Sequence, residues 1–167
     1  MSELLKGKRG LVMGVANERS IAWGIAKALH GAGAELAFTY QGEAFGKRLE
    51  PLAASVGSDF MVDVDVTDDA SLDAAFAALA DRWPSIDFLV HAIAFSDKSE
   101  LTGRILNTSR DNFKHSLDIS CYSFIDVARR AHPLMVENGG TLLTLTYEGS
   151  QRVVPNYNVM GVAKAAL

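Results

Sequence analysis

Short apolar runs alternate along this chain with stretches of helical periodicity, and that alternation restricts the fold more than any other feature. The runs are Arg9–Met13, Glu35–Tyr40, Asp59–Val62, Phe88–His91 and Thr141–Thr146. Each pair is separated by enough residues for a helix, so consecutive strands are joined by crossovers and not by hairpins. Strands connected in this way lie parallel in a sheet that is covered on both faces. The expectation is α/β: a doubly wound, Rossmann-like parallel sheet in three layers, read as one domain over residues 1–167.

The crossovers can be placed from their patterns. A helix starts near Ser20 and presents Ile21, Ile25, Ala28 and Leu29 to the core. A second spans Glu43–Ser55, with Pro51 expected to interrupt it. Asp68 or Asp69 caps a third, in which Leu72, Phe76 and Leu79 face inward. A long helix carries Phe113, Leu117, Phe124, Ala131 and Met135, is kinked by Pro133 and ends at Gly139-Gly140. A last helix begins after Pro155 and contains Tyr157 and Lys164. Leu167 falls inside it without a cap or a closing strand, which marks the chain as a piece of a longer fold.

Composition excludes several classes of function. About half of the residues are hydrophobic (49%) and 22% are charged, which is globular and not disordered. The net charge of −4 offers no electrostatic grip on nucleic acid or an anionic membrane. Arg129-Arg130, the densest basic pair, reads as a solvated helix face. No apolar run is long enough to cross a bilayer, and residues 1–8 lack the core of a signal peptide. One cysteine, Cys121, rules out an internal disulfide and fits a reducing cytoplasm. The four histidines (His30, His91, His115, His132) are scattered, so no metal site is expected.

Two segments suggest chemistry. After the first strand comes Gly14-Val-Ala-Asn-Glu-Arg-Ser20-Ile21-Ala-Trp-Gly24. It keeps the glycine at the strand end but lacks the second and third of G-x-G-x-x-G. Ser20 can still cap the helix, and the Ser20 and Ile21 amides can face a pyrophosphate. An ordinary serine-capped helix reads the same way. At the end of the second strand Gln41 stands where an acidic residue would grip a ribose. Lys47 and Arg48 lie on the following helix, which favours NADH over NADPH. Asp65-Val66 is placed for an adenine edge, with Asp65 equally readable as a turn residue. His91–Ser96 closes the fourth strand.

The other segment is Tyr147-Glu-Gly-Ser-Gln-Arg-Val-Val-Pro-Asn-Tyr157-Asn-Val-Met-Gly-Val-Ala-Lys164. The seven-residue spacing puts Tyr157 and Lys164 on one helix face. An ammonium held there lowers the phenol pKa and prepares a hydroxyl to donate to an oxygen that gains negative charge.

These pieces resemble the short-chain dehydrogenase/reductase family and, within it, the bacterial enoyl-acyl carrier protein reductases of fatty acid synthesis. The likeness is carried by Gly14-Val-Ala…Ser20-Ile21-Ala, Glu35-Leu-Ala-Phe-Thr-Tyr-Gln41, Asp118-Ile-Ser-Cys-Tyr-Ser-Phe124 and Pro155-Asn-Tyr157…Lys164. It implies reduction of the trans-2 double bond of an enoyl-acyl carrier protein thioester by hydride from NADH, the last step of each elongation cycle. It further implies Tyr147, Tyr157 and Lys164 as catalytic residues. Gly14, Ser20, Ile21, Gln41, Asp65, Val66, Ile93 and Lys164 take cofactor positions, and Ser96 a substrate position. Ala94 departs from the glycine of many relatives and narrows the pocket. The resemblance also implies a cytoplasmic homotetramer. An ordinary carbonyl or ketoacyl reductase is the first alternative. A non-catalytic nucleotide-binding fragment is the second, because relatives continue with a further strand, a lid and an edge strand. On that ground the 167-residue chain by itself is expected to be inactive and aggregation-prone.

Overall fold

The computed structural model describes residues 3–167. Strands β1 (Arg9–Met13), β2 (Glu35–Tyr40), β3 (Met61–Asp63), β4 (Phe88–His91) and β5 (Thr141–Thr144) form one parallel sheet in the order β3-β2-β1-β4-β5. The order reverses between β1 and β4, the switch point at which open α/β sheets place ligands. The α/β parallel-sheet expectation holds. Strand ends differ in two places. β3 sits two residues later than expected at its start and reaches Asp63, because its register pairs Asp63 with Tyr40. β5 stops at Thr144, opposite His91, because β4 offers nothing further to pair with.

The helices are α1 (Ile21–Gly31), α2 (Glu43–Ser55), α3 (Asp69–Arg82), α4 (Arg110–Leu117), α5 (Ser123–Ala131) and α6 (Asn158–Ala166). The chain separates into two compact bodies. One runs through Ala92 and includes Ala128–Thr144, and so holds the sheet with α1, α2 and α3; the other is Ile93–Val127 with Leu145–Leu167.

In the sheet body, Val12, Leu36, Phe38, Phe88 and Val90 share a buried cluster with Trp23 and Ala26 of α1 and Leu49 and Ala53 of α2. Leu11, Met13, Ala37 and Leu89 alternate with them along the strands and are equally buried, as a two-sided parallel sheet requires. The inward stripe of α1 is met in part, since Ile25 and Leu29 pack against the core cluster. Ala22, Trp23 and Ala26 are buried, whereas Ile21 is 69% exposed and Ala28 is exposed. Small residues at the contact let α1 approach the sheet closely, and the segment is apolar nearly all round, so periodicity alone does not single out the stripe.

Pro51 does not interrupt α2; it lies inside the helix on an exposed position, where water can take the carbonyl left without a donor. Asp68, not Asp69, caps α3 by accepting the Ala70 amide, and Leu72, Phe76 and Leu79 are buried as expected. The expected long helix is two helices joined by one π-type turn, Asp118–Tyr122. Ser123 Oγ donates to the Ile119 carbonyl at 2.6 Å, a local bond of the kind that loosens helical winding. Phe113 is therefore 42% exposed and not core, while Ala131 and Met135 are buried. Pro133 enters a short 3-10 turn, His132–Leu134, that terminates the helix instead of kinking it.

Candidate active site

In the sheet body, the sequence-predicted cofactor residues fall at the carboxyl ends of β1, β2 and β3. Gly14 follows β1 with φ 93°, a conformation a side chain would disfavour. Ser20 caps α1: its Oγ accepts weakly from the Trp23 amide (3.4 Å) and donates to the Asn17 carbonyl (2.7 Å). The Ser20 amide is itself committed to the Asn17 carbonyl at 3.1 Å, so it does not face an anion in this state. The Ile21 and Ala22 amides, at the positive end of α1, have no hydrogen-bond partner among the described residues.

Gln41 follows β2 and is exposed. Asp65 lies two residues beyond β3, and its Oδ1 accepts from both the amide (2.9 Å) and the hydroxyl (2.7 Å) of Thr67. That closes the turn leading into α3, which is the turn role the sequence also allowed. Val66 sits inside this turn, half-buried. Sequence reasoning missed Asp63, whose Oδ1 accepts the Gly42 amide at 2.8 Å just beyond Gln41. An acidic residue at the end of a predicted strand was the available signal.

The second body carries the phenols. Tyr147 and Tyr157 meet edge to face, with ring centroids 4.9 Å apart and planes at 66°. Tyr157 is the N-cap of α6, not a residue of its first turn, and Asn156 and Asn158 on either side have φ of 62° and 41°. Gly149 makes room for the pair, since a Cβ there would run into the Tyr157 ring. Burial, and secondarily Tyr147, push the Tyr157 phenol above its ordinary pKa. This is opposite to the lowering that the tyrosine–lysine spacing suggested. Lys164 Nζ donates to the Leu145 carbonyl at 2.7 Å. Burial pulls the Lys164 ammonium below its ordinary pKa, with Cys121 opposing the shift. Thr146 Oγ1 donates to the Lys164 carbonyl, so both ends of the lysine are tied to the segment after β5.

Ile93 and Ser96 lie on the segment that follows β4. Ser96 Oγ accepts from Ser116 Oγ (2.9 Å) and exchanges contacts with the Asn112 amide (3.2 and 3.3 Å). Asn112 Oδ1 also accepts the Asp97 amide, and its Nδ2 donates to Glu100. Ser120, in the π-type turn, accepts the Phe95 amide at 2.9 Å and donates to the Phe95 carbonyl at 3.0 Å. The hydroxyls of Ser96, Ser116 and Ser120 and the Asn112 amide thus hold this segment. Among the described residues no group of three His, Cys, Asp or Glu side chains is arranged to hold a metal, and no helix is long and apolar enough to cross a membrane.

Residues 14–167 match a family described as enoyl-(acyl carrier protein) reductase. The chain belongs to that family. The enoyl-[acyl-carrier-protein] reductase [NADH] 2 of Rhizobium meliloti is 64% identical over 167 residues, which cover 100% of this chain and 62% of the relative. The corresponding NADH reductase FabI of Rickettsia typhi is 52% identical, with 99% and 63% covered. Among solved structures, FabI from Candidatus Liberibacter asiaticus superimposes with TM-score 0.98 at 60% identity, covering 100% of this chain and 64% of that one. An Anaplasma phagocytophilum enoyl-(acyl-carrier-protein) reductase solved with NAD gives 0.97 at 56%, covering 100% and 63%. One from Bacillus cereus solved with NADP+ and an indole naphthyridinone gives 0.96 at 48%, covering 100% and 65%. Members of this enoyl reductase family are thus known with either dinucleotide. This chain spans about 62% of the length of the curated relative it resembles at 64% identity.

Proposed function

We propose that this chain is the larger part of a single-domain, NADH-dependent enoyl-acyl carrier protein reductase that saturates the trans-2 double bond of acyl carrier protein-bound thioesters. The observation that carries the reading is the Tyr147–Tyr157 ring pair, together with a buried Lys164, in a chain of this family. Support for a dinucleotide comes from the open Ile21 and Ala22 amides and the positive-φ Gly14 at the end of β1. Gly14, Ser20, Ile21, Gln41, Asp65, Val66, Ile93 and Lys164 would hold it. NADH is favoured because the cations after β2, Lys47 and Arg48, lie on α2 and not beside Gln41.

When bound, the reduced nicotinamide supplies a hydride for the β-carbon of the substrate. The Tyr157 hydroxyl would donate to the enolate oxygen left by hydride addition, burial keeping the phenol protonated until then, and a proton from solvent at the α-carbon would complete the saturated thioester. Lys164 would contribute positive potential and would hold the nicotinamide ribose. Tyr147 bounds the acyl site, and Ser96 contacts the substrate. A cytoplasmic homotetramer completes the proposal.

The test uses the whole protein that contains this chain. It should oxidise NADH with a trans-2-enoyl thioester and not with a β-ketoacyl thioester. Losing one preorganised donor costs about 2.7–4 kcal/mol, so Tyr157→Phe should lower kcat by about 10²–10³-fold with NADH affinity unchanged. Lys164→Ala should weaken NADH binding as well. Equal losses of NADH affinity in both variants would refute the separate roles, and a preference for the ketoacyl thioester would refute the reaction.

A further inference from the structure

The dinucleotide fingerprint calls for a carboxylate at the end of the second strand, near the ribose 2′-hydroxyl. Gln41 occupies that place in this chain. A carboxylate arrives from the adjacent strand instead. β2 and β3 are in register with Tyr40 opposite Asp63, and Asp63 Oδ1 accepts the Gly42 amide at 2.8 Å. Gly42 is the N-cap of α2, with φ 73° and no side chain of its own to cap with. An open amide at the start of a helix is where a 2′-phosphate would find a donor and a favourable dipole. Here the donor is already taken, and the group that takes it is an anion.

The nearby cations do not offset this charge. Lys47 Nζ is paired with Glu43 at 2.6 Å, and the Arg48 guanidinium lies over the Phe45 ring at 5.7 Å. Asp63 is exposed.

We infer that Asp63 is a specificity-determining residue: its carboxylate occupies the Gly42 amide and excludes dinucleotides phosphorylated on the adenosine 2′-oxygen. The inference rests on the nucleotide-binding reading proposed above and names the residue that selects between the two cofactors.

Dissociation constants for NADH and NADPH, measured by calorimetry without substrate, test it in the whole protein. Asp63→Asn keeps an acceptor for Gly42 and removes the charge. A carboxylate within a few ångströms of a phosphate in partly screened surroundings changes affinity by about tenfold, so NADPH should bind about tenfold tighter to this variant. Asp63→Ala also frees the amide and should gain more. NADH affinity should stay within about twofold in Asp63→Asn, which doubles as the check on folding. An unchanged NADPH-to-NADH ratio in Asp63→Asn would overturn the inference while leaving nucleotide binding intact. So would wild-type protein that binds both equally. Wild-type protein that binds neither would overturn the nucleotide reading and this inference with it.

Discussion

Ser120 gives the sharpest structural prediction, because one buried hydroxyl serves both backbone groups of a single residue. Its Oγ accepts the Phe95 amide at 2.9 Å and donates to the Phe95 carbonyl at 3.0 Å, with Met160 Sδ at 3.7 Å. Ser120→Ala removes both bonds and leaves the serine side of the contact sealed, since Ser120 is fully buried. A neutral hydrogen bond contributes about 1 kcal/mol net, and an orphaned buried partner costs about 1–3 kcal/mol. Phe95 is 49% exposed, so water can reach part of its backbone and the loss lies toward the low end. The expected cost is about 2 kcal/mol in all, or about a thirtyfold rise in local opening. Hydrogen exchange of the Phe95 amide, followed in the peptide spanning residues 92–101, measures it directly. The rise should be confined to that peptide and its contacts. Exchange within about threefold of wild type would show that the hydroxyl does not hold the segment, and the account of how Ser96 is positioned would fail with it.

Three further outcomes follow from named contacts. A Cβ on Gly10 would fall inside the Phe88 ring, which lies opposite it across β1 and β4. Gly10→Ala should therefore cost about 1–3 kcal/mol in urea unfolding, and more if the ring cannot move. Gly24→Ala, in α1 with open space around the new methyl, should instead gain about 0.5–1 kcal/mol in the same assay. Burial would raise the Asp87 carboxyl, but hydrogen bonds from Lys8 and the Arg9 amide, with the charges of both residues, outweigh it and lower its pKa. A folded pKa below the unfolded one means stability present above about 4 and lost as pH falls through the folded value. Asp87→Asn should flatten the acid limb of the stability–pH curve; an unaltered limb would exclude Asp87 as its source.

The parts of this fold that were legible from sequence are those set by local pattern. β1, β2 and β4 fall where apolar runs meet turn residues, and α3 shows its buried face because Leu72, Phe76 and Leu79 are its large apolar residues among alanines and polar side chains. Features decided by tertiary contact were not legible. The α1 stripe is ambiguous in a segment that is apolar nearly all round, and contact with the sheet selects Trp23 over Ile21. The π-type turn at Asp118–Tyr122 breaks no composition rule; only the cluster of Ser120 and Ser123 hints at it. Asp63 stands at the end of a predicted strand, but its contact with the Gly42 amide depends on the register of β3 on β2.

The most instructive miscalculation concerns Lys164. Spacing locates its backbone relative to Tyr157, but four flexible carbons separate backbone from ammonium, and Nζ donates to the Leu145 carbonyl. One of three N–H donors is spent in holding Nζ in place, leaving two for a ligand. The phenol meanwhile keeps its proton more firmly than an isolated tyrosine does. A raised phenol is a weaker acid than one whose pKa lies near the working pH, so it holds its proton near neutrality. A phenol raised by burial delivers it only when the oxygen beside it becomes the stronger base. The lysine is then needed for placement and potential, and not for ionising its neighbour.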